Sequence, residues 1–596
     1  MKLFSIITEM KIWIMSIFIS LVACSSNEKV VDPLGPAGGA MDGIPDEFPQ
    51  EAKEKNFSFD DRTTEYGLDD IEAYNFNVVD INGDFYSDLV IIPSFYSYPK
   101  FYYFDLVRQK FVQGDSPFKN PVKASFILFY DLDNDHVLDA IVGVLNQKTE
   151  LSKEPLRIFY GSKVDGKVVF DKPYAINVKI SNSTIGLIDY NLDGKLDLFI
   201  GNWFKMINDN PFPAPDYLFE NKGRKFEDVS SVLVDEAKKD PSGAMFINAT
   251  PTYGAQICDI DQNGYPDILT VSTNRFDNKM WMNRYKFRDQ KRYFEEIGKF
   301  AGYSADSEGL NNKQGGGRSF GVACADYNND GIMDIFVGEL THNYDSSDVD
   351  KSSVLTGRTF KYPPKYFRTE YFLDSFDPGW HEADRRGIWT DFNNDGLLDL
   401  LVDNSGYPPH SKLVLFEQLF DHAFENRAAQ MGIDIMNPIS TVVLDINRDG
   451  KMDILTAQSQ IRDESLKPKI KLFENNIQTK GRGVRLFLRG DKSNFHGLNA
   501  TITIRVEKEG RIINRLQNVA YSYGALPPQN EEGVHFGIAE GERVDSVIVR
   551  WPYSKAPNTS RTAMEKVYKL PNEFSGVLSM TLCENGNILV GRRNCL

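Results

Sequence analysis

Seven copies of one acidic signature recur along this chain, their starts 51, 58, 70, 67, 65 and 54 residues apart. The signature is Asp-x-Asp/Asn-x-Asp/Asn-Gly-x-x-Asp, with a short apolar run on each side. The copies begin at Asp80, Asp131, Asp189, Asp259, Asp326, Asp391 and Asp445. A period of about 60 residues is one supersecondary unit per repeat, and units repeated in this way build propellers or solenoids.

The fifth copy, Asp326-Tyr327-Asn328-Asn329-Asp330-Gly331-Ile332-Met333-Asp334, shows the chemistry. Positions 1, 3, 5 and 9 carry short oxygen side chains. Position 7 can offer only a backbone carbonyl, and Gly331 permits the sharp turn. Many hard oxygens around one small cavity suit Ca²⁺ better than Mg²⁺, which prefers strict octahedral geometry and keeps its waters. The spacing resembles the first half of an EF-hand loop. However, no copy has Glu at position 12, and the flanks are short β-rich runs, which predicts a hairpin around each loop.

The candidate ligands are Asp80, Asn82, Asp84 and Asp88, then Asp131, Asp133, Asp135 and Asp139. Next come Asp189, Asn191, Asp193 and Asp197, followed by Asp259, Asp261, Asn263 and Asp267. The last three sets are Asp326, Asn328, Asp330 and Asp334; Asp391, Asn393, Asp395 and Asp399; and Asp445, Asn447, Asp449 and Asp453. Phe85 and His136 replace the position-6 Gly in two copies. Those loops turn at greater backbone cost, so calcium is expected to be weakest there. Up to seven structural calcium ions follow from this reading.

With 596 residues and 41% apolar content, the chain can bury a large globular core. Its net charge is −17, and filling the acidic loops with divalent ions would cancel most of it. There is no basic stripe and the pI is about 5.1, so nucleic acid is not an expected partner.

The N-terminus reads as a targeting segment. After Lys11 comes a short apolar run ending Leu21-Val22-Ala23-Cys24, too short to span a bilayer comfortably. Its ending resembles a bacterial lipobox, which would make residues 1–23 a signal peptide and Cys24 the lipidated N-terminus. Met1 and Met10 are both candidate starts. Residues 24–55, rich in Pro, Gly and acidic residues, read as a flexible tether. The expected location is the bacterial cell envelope, the outer membrane or cell surface, with a lipid anchor as the membrane contact. Cys583 and Cys595 could form a disulfide in an oxidising compartment. Cys258 and Cys324, in apolar strands just before acidic loops, read as buried, inert thiols.

After most acidic hairpins comes a second strand pair, such as Tyr217–Asn221 followed by Lys225–Val229. Two pairs make a four-stranded propeller blade, and seven signatures predict seven blades. The last repeat lacks its fourth strand, and a matching run, Asn56–Asp61, lies before the first loop. The expectation is that residues 56–61 complete the last blade and latch the ring.

These repeats resemble the FG-GAP/VCBS family of calcium-binding propeller repeats, the type found in the integrin α-subunit head, over about residues 56–476. The segment after 476 alternates with period 2, as in Thr501–Val506, and predicts an antiparallel β domain. Gly483–Gly490, Lys492-Ser493-Asn494, Val534–Gly537 and Arg550-Trp551-Pro552 resemble the ASPIC/UnbV domain, placed at 477–586 with a tail at 587–596. One departure is Leu498-Asn499-Ala500, where that family usually has Ile-Gly-Ala. The pairing of the two parts resembles the cartilage-acidic-protein-like family. The fold expected is all-β: a seven-bladed propeller, then a small β domain.

Other motifs are weaker. Gly317-Arg318-Ser319-Phe320-Gly321 fits the hydrolase elbow pattern but leads into a β-run rather than a helix. Arg489-Gly490-Asp491 reads as a coincidence of the domain's sequence. None of the seven histidines pairs at metal-ligand spacing, and no nucleophile, base and orienter assemble. Trp203, Tyr253, Tyr407 and Trp380 fall in inter-strand loops, where propellers bind ligands. The expected function is therefore a non-enzymatic, membrane-anchored, calcium-stabilised binding or adhesion module for a protein or glycan. The alternatives are a calcium-dependent polysaccharide lyase or hydrolase and an envelope assembly scaffold.

Overall fold

A computed structural model describes residues 58–145, 155–176, 182–207, 210–235, 238–239, 245–246, 248–306, 316–341, 349–359, 361–370, 383–557, 563–570 and 577–595. The signal segment, Cys24, the tether and Trp380 lie outside the described residues. Among the described residues the chain is nearly all β.

Seven sheets each carry one acidic loop between their first and second strands. The first strands are Asn75–Val79, Phe126–Tyr130, Asn182–Ile188, Thr252–Cys258, Ser319–Ala325, Asp384–Thr390 and Pro438–Leu444. Every second strand starts at the position-9 aspartate, at Asp88, Asp139, Asp197, Asp267, Asp334, Asp399 and Asp453. The strands of each sheet pair antiparallel in chain order, apart from the seventh. There, Phe59–Asp61 closes the sheet by pairing with Ile470–Asn475, Phe59 opposite Asn475. The N-terminal latch is thus the fourth strand of the last sheet. Additions occur in the middle of the series: a separate two-stranded hairpin, Phe204–Ile207 with Asn210–Pro213, inserted between the second and third strands of the third sheet, and a parallel strand, Leu233–Val234, on the outer edge of the fourth.

Most first strands are buried along their whole length, as in Phe126–Tyr130. That explains their continuous apolar runs: both faces meet a neighbouring sheet. Apolar clusters join successive sheets. Val90 and Ile92 pack with Ile127 and Phe129, and Phe199 and Leu218 pack with Ile268 and Trp281. The series returns on itself, because Phe76, Val78 and Leu89 of the first sheet share a core with Val442, Leu444 and Leu455 of the seventh. The fold is an all-β propeller type in which the first and last sheets are neighbours.

The region after 476 forms two four-stranded sheets. One orders Val534–Ile538, Arg482–Arg489, Leu578–Cys583 and Ile588–Val590; the other orders Arg511–Asn518, Thr501–Lys508, Arg543–Trp551 and Met564–Tyr568. The expectation of a purely antiparallel domain needs a correction, because Arg482–Arg489 runs parallel to Leu578–Cys583. These strands lie far apart in sequence, so no hairpin fixes their direction. The core between the sheets includes Leu486, Ile502, Val547 and the fully buried Trp551.

A second correction concerns cysteine. Cys258 and Cys324 are not free thiols but a disulfide, joining the first strands of the fourth and fifth sheets with Cα atoms 6.8 Å apart. They occupy nearly equivalent places, one and two residues before their loops, so neighbouring sheets bring them face to face. Cys583 and Cys595 are also joined.

Candidate metal centre

The 28 candidate ligands divide into seven sets, each held at the end of its own sheet, on one face of the molecule. Two left-handed residues shape every loop. Position 4 has positive φ throughout, from Gln262 at 53° to Gly83 at 78°. At position 6 the glycines take φ of 79° to 89°, and Phe85 and His136 adopt 70° and 66° there. Those two side chains therefore carry the conformational cost expected of them.

The position-9 aspartate ties the loop to its sheet. Asp88 accepts the Ile81 N–H at 3.0 Å with one oxygen and the Phe104 N–H of the third strand at 2.9 Å with the other. The other six repeat this pair of bonds; Asp453, for example, accepts from Ile446 and Asn475, both at 2.8 Å. A third-strand amide then reaches back to the preceding sheet. Asn221 donates to Leu132 O at 2.8 Å, Asn283 to Tyr190 O at 2.8 Å, Gln418 to Tyr327 O at 3.0 Å and Asn475 to Phe392 O at 2.9 Å. These amides, which end runs such as Leu-Phe-Glu-Asn, have a role the sequence reading missed.

The loops also touch one another. Asn134 donates to Gly194 O at 2.9 Å, Asn329 to Gly396 O and Asn394 to Gly450 O at 3.1 Å, Gln262 to Gly331 O, and Arg448 to Phe85 O. In each case position 4 of one loop meets the position-6 carbonyl of the next, and Arg448 carries the series from the last loop to the first.

Burial pushes the loop carboxyls upward. Asp88, Asp139, Asp334 and Asp391 rise to about 8, and Asp259, Asp326 and Asp445 to about 7. Asp189, Asp197, Asp267, Asp399 and Asp453 are also raised well above the usual carboxylate range, for the same reason. One oxygen each of Asp259, Asp326 and Asp445 is buried without a hydrogen-bond partner. Buried carboxylates with spare lone pairs and only oxygen donors around them fit a hard divalent cation. In two loops, Asp131/Asp133/Asp139 and Asp259/Asp261/Asp267, three carboxylates bring oxygens within 4.8 Å of one another and could hold a metal ion. The other five have Asn at position 3. The Asp131 loop is thus one of these two sets, despite His136.

The second domain lies on this face. Arg550 approaches Asp259 at 3.6 Å and donates to Gln262 O at 2.9 Å. Asn499 accepts the Asp189 N–H at 2.9 Å and donates to Leu187 O at 3.0 Å. Its φ of 69° lies in the left-handed region, which Asn tolerates better than most residues. His535 bonds Asn394 at 2.8 Å. The charges of Arg592, Arg515 and Arg485 act on Asp80, Asp391 and Asp445 respectively.

A loop of the second domain fills the axis where the first strands converge. Val78 donates to Gln529 O at 2.9 Å, and the Gln529 side chain accepts the Phe129 N–H at 3.0 Å. Thr184 donates to Gly524 O at 2.6 Å, and Gly524 donates to Ala255 O at 2.8 Å. Arg386 donates to Pro528 O and Asn530, and Asn530 accepts the Val443 N–H. One loop therefore touches six of the seven first strands.

The weaker motifs resolve structurally. Ser319 is buried, donates to Glu339 at 2.5 Å and begins a strand. Arg489 is buried against Glu532, so Arg489-Gly490-Asp491 does not present its arginine to solvent. Trp203 and Tyr253 stack edge to face at 5.6 Å, and Tyr253 and Tyr407 pack beside Phe320.

Two family models match the sequence. The FG-GAP-like repeat matches residues 259–337 and 391–456, and the ASPIC and UnbV domain matches residues 490–574. None of the curated proteins matches. Among solved structures, a fungal alcohol oxidase in complex with copper is 9% identical with a TM-score of 0.41, covering 84% of this chain and 98% of that one. The V. cholerae biofilm matrix protein Bap1 is 9% identical with a TM-score of 0.29, covering 85% and 82%. Rhamnogalacturonan lyase YesW is 11% identical with a TM-score of 0.31, covering 68% and 86%.

Proposed function

We propose that this chain, which joins FG-GAP-like repeats to a C-terminal ASPIC and UnbV domain, is an exported, calcium-stabilised binding module rather than an enzyme. Each of the seven sheets is read as one blade, and each acidic loop as a structural calcium site. When bound, calcium would neutralise the buried carboxylates and fix the loop. The residues at positions 1, 3, 5 and 9 would hold it, while the position-9 aspartates keep their backbone bonds. The lipid anchor at Cys24 would hold the module at the envelope.

The observation that carries this reading is the docking of the second domain on the acidic loops, with its own loop in the axis. That leaves the opposite rim as the accessible end of the ring, and loops on a rigid scaffold are where ligands are bound. The test is to immobilise the mature chain and present envelope proteins and glycans, in millimolar calcium and in chelator. The reading expects a saturable ligand that is lost with the metal. Turnover of a polysaccharide panel without saturable retention would contradict it in favour of an enzyme.

A further inference from the structure

The end of the axis away from the acidic loops holds a small pocket whose exposed wall is mostly apolar, with an aromatic rim and a few buried polar groups. Its wall includes Tyr74, Asn75, Tyr253, Arg385 and Asp403, and Leu526 of the axial loop forms its floor. These residues come from the beginnings of first strands or the end of a second strand, and with Ile439 and Ser440 of the seventh sheet beside them, four sheets contribute to one small space. Two acceptors in it are buried and unsatisfied. Asp403 is 2% exposed; one oxygen lies 3.2 Å from the Thr441 N–H, and the other has no partner. Asn75 is 1% exposed, donates to Leu526 O at 2.7 Å, and leaves its own oxygen unpaired.

The cation is available. Arg385 is half-buried, uses its Nε on Ser405 at 2.7 Å, bonds the Tyr253 side chain and acts on Asp403 through its charge, with no ion pair at contact distance among the described residues. Arg386 beside it is spent on backbone carbonyls and Asn530. Two guanidiniums against the single carboxylate of Asp403 leave the pocket net positive. Outside it runs an aromatic belt: Trp203 lies 5.6 Å from Tyr253, Tyr253 lies 4.6 Å from Phe320, and Arg385 stacks 5.1 Å from Phe320.

Buried, unpaired acceptors call for a ligand rich in hydroxyl donors, because leaving them unmatched is costly. Aromatic faces suit the apolar face of a sugar ring. A guanidinium without a carboxylate partner suits a carboxylate on the ligand, which it can bind bidentately. We infer that this pocket binds a uronic-acid residue of a glycan, with Arg385 on its carboxylate, Asp403 and Asn75 on its hydroxyls, and Tyr253 against its ring. The inference rests on the binding-module reading and names its ligand class and site.

The test uses the mature full chain in millimolar calcium, with digalacturonate as probe and cellobiose as the neutral comparison. Affinity is measured for the parent, Arg385→Gln and Tyr253→Leu, alongside melting temperature and bound calcium. The expected result is digalacturonate binding that exceeds cellobiose binding and weakens about tenfold or more in both variants, since each loses a direct contact. Melting and calcium content should stay at parental values. Undiminished digalacturonate binding in both variants would place the sugar elsewhere and overturn the pocket assignment. Equal affinity for the two sugars would overturn the uronate assignment. Binding of neither sugar would overturn the inference, yet calcium-dependent retention of an envelope protein would leave the binding-module reading standing.

Discussion

The position-1 and position-9 aspartates work differently, although the signature writes both as Asp. Position 9 spends both oxygens on backbone N–H groups and so fixes where the third strand lies, as Asp267 does with Ile260 and Asn283. Position 1 organises the turn and, in Asp259, Asp326 and Asp445, keeps a buried oxygen unpaired. Replacing Asp326 and Asp330 by Ala should therefore lower the melting temperature much more in calcium than in chelator; equal losses in both media would make the role purely structural. A site saturated 100-fold adds about 2.7 kcal/mol. The raised carboxyl values also set a pH dependence. Their folded values, near 7 to 8 for Asp88, Asp139, Asp259, Asp326, Asp334, Asp391 and Asp445, lie above the unfolded value of about 4. The folded chain thus holds those protons more tightly, and the stability they add is lost as pH rises through the folded values. In chelator, the melting temperature should fall between about pH 4 and pH 8; in calcium the fall should shrink, because the metal replaces the protons. A flat profile in chelator would show that the loops bear no such strain.

Strand identity was legible wherever local chemistry repeats. The loop signature placed all seven first hairpins, and the missing Phe-Glu-Asp run of the last repeat pointed to the strand supplied by the N-terminus. That strand, Phe59–Asp61, pairs with Ile470–Asn475, and Phe59 packs on Phe392 at 5.8 Å. Deleting residues 56–61 should lower the melting temperature sharply, by exposing the edge of the seventh sheet; an unchanged melt would show that the ring holds without its latch. Bonds between neighbouring sheets were not legible, because they depend on partners a full repeat away. The Cys258–Cys324 disulfide, 66 residues apart in sequence, belongs here. Its signal was present all the same: two cysteines at nearly the same place in successive repeats must face each other once the sheets are adjacent. The inter-sheet amides Asn221, Asn283, Gln418 and Asn475 were likewise visible only as the ends of similar strands.

The two parts of the chain are one body, and no local pattern announces this. The second domain covers the acidic face, and its loop around Gly524–Asn530 fills the axis, so the propeller's inner strands satisfy backbone groups on a separate domain. Residues 56–476 alone should consequently melt lower than the mature chain and expose apolar surface, while the mature chain should unfold in one cooperative transition. Two separated transitions in the mature chain would show that the docking contributes little. Candidate aromatics were partly legible too: Trp203 and Tyr407 lie between strands as expected, whereas Tyr253 sits inside the strand Thr252–Cys258, and the grouping of Tyr253 with Arg385 and Asp403 comes only from the ring bringing distant repeats together. Calcium held in the acidic loops is proposed to stabilise the whole fold. The decisive measurement is metal content of the purified mature chain by mass spectrometry, paired with its melting temperature before and after chelation. Several calcium ions per chain, and a melt that drops on chelation and recovers when calcium but not magnesium is restored, is the expected result. A chain that binds no calcium and melts at the same temperature in chelator would contradict it.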